Sequence, residues 1–105
     1  MKIVIIGLGL IGGSMAKTLS TINNVSVLAY DQNEQSILSA LKSNSIAGRI
    51  NSLNELKNNE YKNALVIVAT PPSVTINIFK ELSFLFNSSV TITDTSSTKN
   101  TLNKL

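Results

Sequence analysis

Apolar and polar residues alternate in blocks along the chain, and the period within each block predicts an element. Lys2 to Ile6 carries the continuous β-branched run Ile3-Val4-Ile5-Ile6, the pattern of a strand covered on both faces. From Leu10 to about Leu19 the period changes. Ile11, Met15, Leu19 and Ile22 recur every three to four positions, as the buried stripe of a helix does. Asn23-Asn24 breaks that helix, and Val25 to Tyr30 predicts a second buried strand. Asn33 is placed to cap a helix whose apolar face is Ile37, Leu38 and Leu41. Ser43 to Asn54 fits no single period: Ile50 suits a short edge strand, and Leu53 and Leu56 suit one helical turn. Ala64 to Ala69 is a clear strand that Pro71-Pro72 stops, and Ser73 is placed to cap the next helix. That helix has Ile78, Phe79, Leu82, Leu85 and Phe86 on its apolar face. Val90 to Thr93 predicts the last strand, and the polar segment from Thr95 to Leu105 starts a further helix.

Strand and helix alternate throughout, which predicts a parallel sheet with right-handed crossovers. The strands fall near residues 2–7, 25–30, 48–51, 64–69 and 89–93, in the order 3-2-1-4-5 with the first strand central. No repeat, linker or low-complexity tract divides the chain, and 105 residues suit one domain around one core.

Composition narrows the chemistry by what it lacks. With no Cys there is no disulfide, thiolate nucleophile or Cys-ligated metal, and with no His there is no Ser-His-Asp relay. The six carboxylates, Asp31, Glu34, Glu55, Glu60, Glu81 and Asp94, form no local cluster, so no metal site is expected. The net charge of +3 comes from scattered lysines and the single Arg49, which argues against a nucleic-acid surface. Ser, Thr and Asn make up 36 of the 105 residues and supply most of the polar surface. The apolar start has one Lys and is interrupted by glycines, which suits a strand and turn better than a signal peptide. It is also shorter than the ~20 residues of a membrane span. A cytoplasmic protein with no membrane partner is expected.

One motif changes the picture. Gly7-Leu8-Gly9-Leu10-Ile11-Gly12 is G-x-G-x-x-G, placed directly after a buried strand and opening a helix. Gly7 permits the tight turn, Gly9 lets a pyrophosphate approach the backbone, and Gly12 lets the helix pack closely on the sheet. The first amides of the helix and its dipole then face the phosphates. Asp31 ends the second strand, 19 residues after Gly12, where a carboxylate can take both hydroxyls of an adenosine ribose. Gln32 and Asn33 carry no positive charge for a 2′-phosphate, so NAD is expected rather than NADP. Asp31 can also help Asn33 cap the second helix; both roles can hold together, and the ribose role is the one favoured. The fold class expected is thus α/β, a Rossmann-type doubly wound parallel sheet.

In such sheets ligands sit where the strand order reverses, outside the carboxyl ends of the first and fourth strands. The loop Ala69-Thr70-Pro71-Pro72-Ser73 is expected to face the glycine turn, with the Thr70 hydroxyl near a nicotinamide ribose. After the fifth strand, Thr93-Asp94-Thr95-Ser96-Ser97-Thr98-Lys99 puts hydroxyls and a candidate Asp94–Lys99 pair at the same edge. On periodicity alone the capping reading of this segment prevails over a ligand.

Three segments resemble the nucleotide-binding part of prephenate dehydrogenases and their arogenate-using relatives. They are Val4-Ile5-Ile6-Gly7-Leu8-Gly9-Leu10-Ile11-Gly12-Gly13-Ser14, Val66-Ile67-Val68-Ala69-Thr70-Pro71-Pro72, and the D-x-x-S-x-K segment from Asp94 to Lys99. Ser96 departs from the glycine that many members have there. The resemblance implies a cofactor site of Gly7, Leu8, Gly9, Leu10, Ile11, Gly12, Asp31, Ala69, Thr70, Pro71 and Asp94, with Ser97 as the catalytic-shell residue. It implies oxidative decarboxylation: a hydride passes from the hydroxyl-bearing ring carbon to NAD, carbon dioxide leaves, and the ring becomes aromatic. From prephenate the product is 4-hydroxyphenylpyruvate, a step of tyrosine biosynthesis.

The family's catalytic histidine, in an H-P-M-A-G-like segment, and its helical C-terminal domain with a substrate-binding arginine have no counterpart up to Leu105. The expectation is therefore an NAD-binding domain over residues 1–105, incomplete without a substrate or dimerisation domain and inactive alone. A dinucleotide is the expected partner, with prephenate or arogenate in a longer enzyme and room for a homodimer. Two other readings stand beside this one: a stand-alone NAD-sensing module, and the nucleotide domain of another 3-hydroxyacid-type dehydrogenase.

Overall fold

The structure, a computed structural model, describes residues 1–95. Strand β1 (Lys2–Ile6) leads to helix α1 (Leu10–Leu19), β2 (Ser26–Tyr30), α2 (Glu34–Lys42) and β3 (Gly48–Arg49). After the short 3-10 turns Leu53–Lys57 and Asn59–Tyr61 come β4 (Leu65–Val68), α3 (Pro72–Glu81), a 3-10 turn Ser83–Leu85 and β5 (Thr91–Asp94). The five strands form one parallel sheet in the order β3-β2-β1-β4-β5, as the alternation predicted.

The continuous apolar run of β1 is explained by its two faces. Ile3 and Ile5 pack on one side with Val27, Ala29, Ala16 of α1 and Ile37 of α2. Val4 and Ile6 pack on the other with Val66, Val68 and with Ile78, Phe79 and Leu82. A period of two therefore divides one apolar strand between two cores, and neither face can be polar.

Register positions the site. Ile6 pairs with Tyr30 on one side and with Val68 on the other, and Val68 pairs with Asp94. Four strands thus end at one level. Gly7 donates its amide to Tyr30 O at 2.8 Å and Ala69 donates to Ile6 O at 2.8 Å, so their loops leave the sheet side by side. β1 and β4 are also where the strand order reverses.

Several expectations are corrected. The buried face of α1 is Gly12 and Ala16, with Met15 and Leu19 partly covered, whereas Ile11 and Ile22 are exposed. A helix lying this close to a sheet meets it with small residues, so the apolar stripe sits at the edge of the contact. Leu38 of α2 is exposed for its part, while Ile37 is fully buried. Ile50 is buried just beyond the two-residue β3 and not in it; its amide bonds Ala29 O at 2.9 Å. α3 starts at Pro72 with Pro71 as its N-cap, so Ser73 lies inside the helix and does not cap it. α3 stops at Glu81, which leaves Phe86 past the helix and exposed. β5 is displaced to Thr91–Asp94, so Asp94 belongs to the strand and not to the loop after it. The segment expected to start a further helix, residues 96–105, lies outside the described residues.

Three asparagines take positive φ, at Asn24 (67°), Asn44 (60°) and Asn63 (64°), in turns between elements. Asparagine tolerates the left-handed region better than most residues with a Cβ. Part of the unusual Asn content therefore serves the turns.

Candidate functional site

The site is built outward from Gly7. Its φ of +100° is reserved for glycine, and a Cβ there would lie 2.9 Å from the Thr70 methyl and 3.0 Å from Ala69 O. A Cβ on Gly12 would come within 1.8 Å of Gly7 O and 3.1 Å of the Ala69 methyl. Gly12 therefore seats the start of α1 directly on the turn and against β4. Gly9 differs from both: a Cβ there would meet nothing within 4 Å. Nothing in the packing of the described residues requires glycine at this position. The small residue keeps open the space above the N-terminus of α1.

That N-terminus is uncapped. Gly9 stands at the N-cap position, no side chain among the described residues bonds the first amides, and the first turn holds no acidic residue. The first amides of a helix have no intrahelical acceptor, and the helix dipole adds positive potential there. The next helix is different. The Asn33 side chain accepts from Gln35 N at 3.0 Å and Ser36 N at 3.3 Å, and Glu34 occupies the first turn of α2. Of these two helices, α1 is thus the one whose start suits an anion.

Asp31 follows β2 at the same edge. Its Oδ2 accepts from the Leu8 amide at 2.7 Å and its Oδ1 from the Asn33 amide at 2.8 Å. The reading of Asp31 as a partner of Asn33 at the start of α2 is thus the one these bonds show. The carboxylate braces the start of α2, and each oxygen keeps lone-pair capacity toward the cleft. Leu8, expected among the cofactor contacts, donates its amide to Asp31 and so orients the carboxylate. Leu10 and Ile11 carry exposed side chains, Leu10 at 92%, and only their amides face the open end of the helix.

A cleft of about 290 Å³ lies between these groups and the loop after β4. Gly7, Gly9, Asp31 and Thr70 give it small and polar lining, and Tyr30, Pro71, Val74 and Ile78 give it apolar lining. Ile6, Ala69 and Gln32 complete it. Spacing arguments did not single out the apolar lining, because Tyr30 comes from β2 and Val74 and Ile78 from α3, more than forty positions further along the chain.

Thr70 is arranged differently from expectation. Its methyl faces Gly7, and its hydroxyl lies 2.7 Å from that of Thr75, inside the loop. Thr75 is almost fully buried and its hydroxyl reaches Thr70 O at 3.0 Å and Pro71 O at 3.1 Å. This back-bonding closes the entry to α3, where a side-chain cap is absent. The sequence signal for it was a threonine four residues after Pro71.

Asp94 is not part of the cleft wall. Both of its carboxylate oxygens are buried and lack a hydrogen-bond partner among the described residues. Ser97 and Lys99 lie outside the described residues. Among the described residues no three His, Cys, Asp or Glu side chains gather to hold a metal, and no helix is long and apolar enough to cross a membrane.

An uncapped helix end behind a glycine turn, a braced carboxylate one strand away and an apolar lining to the cleft, all at the switch point of a parallel sheet, define a nucleotide-binding domain of the Rossmann type. Residues 15–105 match the family described as prephenate dehydrogenase, nucleotide-binding domain, and the chain belongs to that family. The match begins just beyond the Val4–Ser14 segment, so the case for the glycine turn is the geometry above. Among solved structures, Synechocystis arogenate dehydrogenase shares the fold, with TM-score 0.81 at 22% identity over 97% of this chain and 35% of that one. Prephenate dehydrogenase from Aquifex aeolicus, in complex with hydroxyphenyl propionate and NAD+, superposes with TM-score 0.75 at 28% identity, covering 90% of this chain and 32% of that one. A second structure of the Aquifex aeolicus enzyme gives 0.73 at 29% identity, over 88% of this chain and 33% of that one. The chain spans about a third of the length of these relatives.

Proposed function

We propose that the chain binds NAD in the cleft between the Gly7 turn and the Ala69-Thr70-Pro71 loop. In this reading residues 1–105 are the NAD-binding domain of a dehydrogenase that oxidatively decarboxylates prephenate or arogenate. The observation that carries it is the open side of Gly9 above an uncapped helix, next to a carboxylate held by two backbone amides. The α1 amides suit the pyrophosphate, Asp31 the two ribose hydroxyls, and the Tyr30, Pro71, Val74 and Ile78 lining a flat ring. When bound, NAD supplies the hydride acceptor. Of the chain's own residues, Ser97 is proposed to hold the substrate hydroxyl and Asp94 to shape the loop that carries it. The proton of that hydroxyl needs a base, ordinarily a histidine, and these 105 residues contain none.

Calorimetric titration tests the cofactor reading. Wild-type protein takes up one NAD, and Gly9→Val, which fills the pyrophosphate space, abolishes uptake with little change in melting temperature. Unchanged NAD binding by Gly9→Val would mean that the turn is only a turn.

A further inference from the structure

We propose that Glu34 is a cofactor-specificity residue, acting by withholding Arg49 from the 2′ position of the adenosine ribose. This rests on the placement of the ribose at Asp31 proposed above.

Arg49 is the only arginine in the chain. It ends β3 and pairs with Ala29 of β2, two positions before Asp31 on the neighbouring strand, at the edge where the ligand cleft opens. An arginine beside the carboxyl end of β2 is the group that a 2′-phosphate recruits in NADP-binding sheets. In this structure it is already engaged. Arg49 Nη1 donates to Glu34 Oε2 at 2.6 Å. Glu34 is the first residue of α2, and the amide of the residue before it, Asn33, donates to Asp31 Oδ1 at 2.8 Å. The guanidinium is therefore paired with the first residue of α2, three positions beyond Asp31.

Two features favour the pairing. Glu34 sits where the positive end of the α2 dipole favours a carboxylate. The hydrogen bond from Arg49 holds the Glu34 carboxyl below its usual range. Asp31 repels a 2′-phosphate directly, and Glu34 removes the one guanidinium that would offset that repulsion. Two carboxylates thus exclude the phosphate by different routes, one by charge and one by occupying its counterion.

The test is a double-mutant cycle on the full chain, with NAD and NADP affinities measured by calorimetry at low and at physiological salt. Glu34→Gln frees Arg49 and should tighten NADP by about fivefold, less at higher salt, while NAD stays within about twofold. Arg49→Gln alone should leave NADP binding nearly unchanged, because the group is already engaged. In the Arg49→Gln background, Glu34→Gln should lose most of its effect. If the gain persists in that background, Glu34 acts only through its own charge and the proposal fails. If Arg49→Gln alone weakens NADP sharply, Arg49 is not withheld and the proposal fails. Failure of the wild type to bind NAD would instead overturn the cofactor assignment. Glu34→Ser provides a second removal of the pair, and melting curves verify that every variant is folded.

Discussion

The Asp31 carboxylate accepts a hydrogen bond from the Leu8 amide at 2.7 Å, across 23 positions of sequence. The residue proposed for the ribose is thereby tied to the turn proposed for the pyrophosphate. A change at Asp31 should be felt at both places, which a surface carboxylate with one role would not show.

The first prediction follows from that tie. NAD should bind about tenfold or more tightly than NADP, and Asp31→Ser with Gln32→Arg should narrow or invert the ratio. Asp31→Ala should also lower stability, since hydrogen bonds to a charged group contribute roughly 1.5–3 kcal/mol each, less where solvent reaches them. Urea titration alongside calorimetry reads both effects. Equal affinity of the wild type for the two cofactors would remove Asp31 from the ribose.

Gly9 and Gly12 should separate binding from folding. Gly12→Ala drives a methyl to within 1.8 Å of Gly7 O, so backbone must move. Overpacking of this kind costs about 1–3 kcal/mol and more where backbone is the obstacle. A Cβ at Gly9 meets no atom of the described residues within 4 Å, so Gly9→Val should cost no more than about 1 kcal/mol as a weaker N-cap. Thermal melts should therefore fall for Gly12→Ala and hold for Gly9→Val, with NAD binding lost in the latter.

Thr75→Val keeps the volume and removes the buried hydroxyl. It strips Thr70 of its partner and should destabilise by roughly 1–3 kcal/mol. The same change should weaken NAD binding, because the Thr70 loop lines the cleft. A stable variant with unaltered affinity would show that the Thr70–Thr75 contact is dispensable.

The 105-residue chain should not turn over prephenate. A well-placed general base contributes typically ~10² to 10⁴ in rate, and positioning by a substrate-holding domain roughly 7–11 kcal/mol of a barrier. The measurement is NADH absorbance with NAD and prephenate at high protein concentration. A protein-dependent rise that survives repurification would show that the proton is taken by a residue present in this chain.

Much of the fold was legible because its signals are local. Apolar runs of four to six residues marked buried strands, and Pro71-Pro72 and Asn33 marked helix boundaries near where they occur. The weakest signal, around Ile50, was also where the prediction was loosest: a two-residue edge strand has little period to read, and the core takes Ile50 from just beyond it. The expected face of α1 was displaced for the opposite reason. Its stripe was clear, but which part of a stripe touches the sheet depends on how closely the helix lies, and Gly12 lets it lie close enough that Ala16 becomes the contact.

The site divides along the same line. The G-x-G-x-x-G spacing and the acidic residue 19 positions on are chemical requirements of a short stretch of backbone, so order along the chain was enough to locate them. The partners of those residues were not so readable. The Leu8–Asp31 bond, the Thr70–Thr75 pair against Gly7, the apolar lining shared by β2 and α3, and the engagement of Arg49 by Glu34 depend on strand register and on which groups find a donor or acceptor once water is excluded. Residue types and spacing state what a position can do. Packing alone settles which of those capacities is already used within the protein and which is left for a ligand.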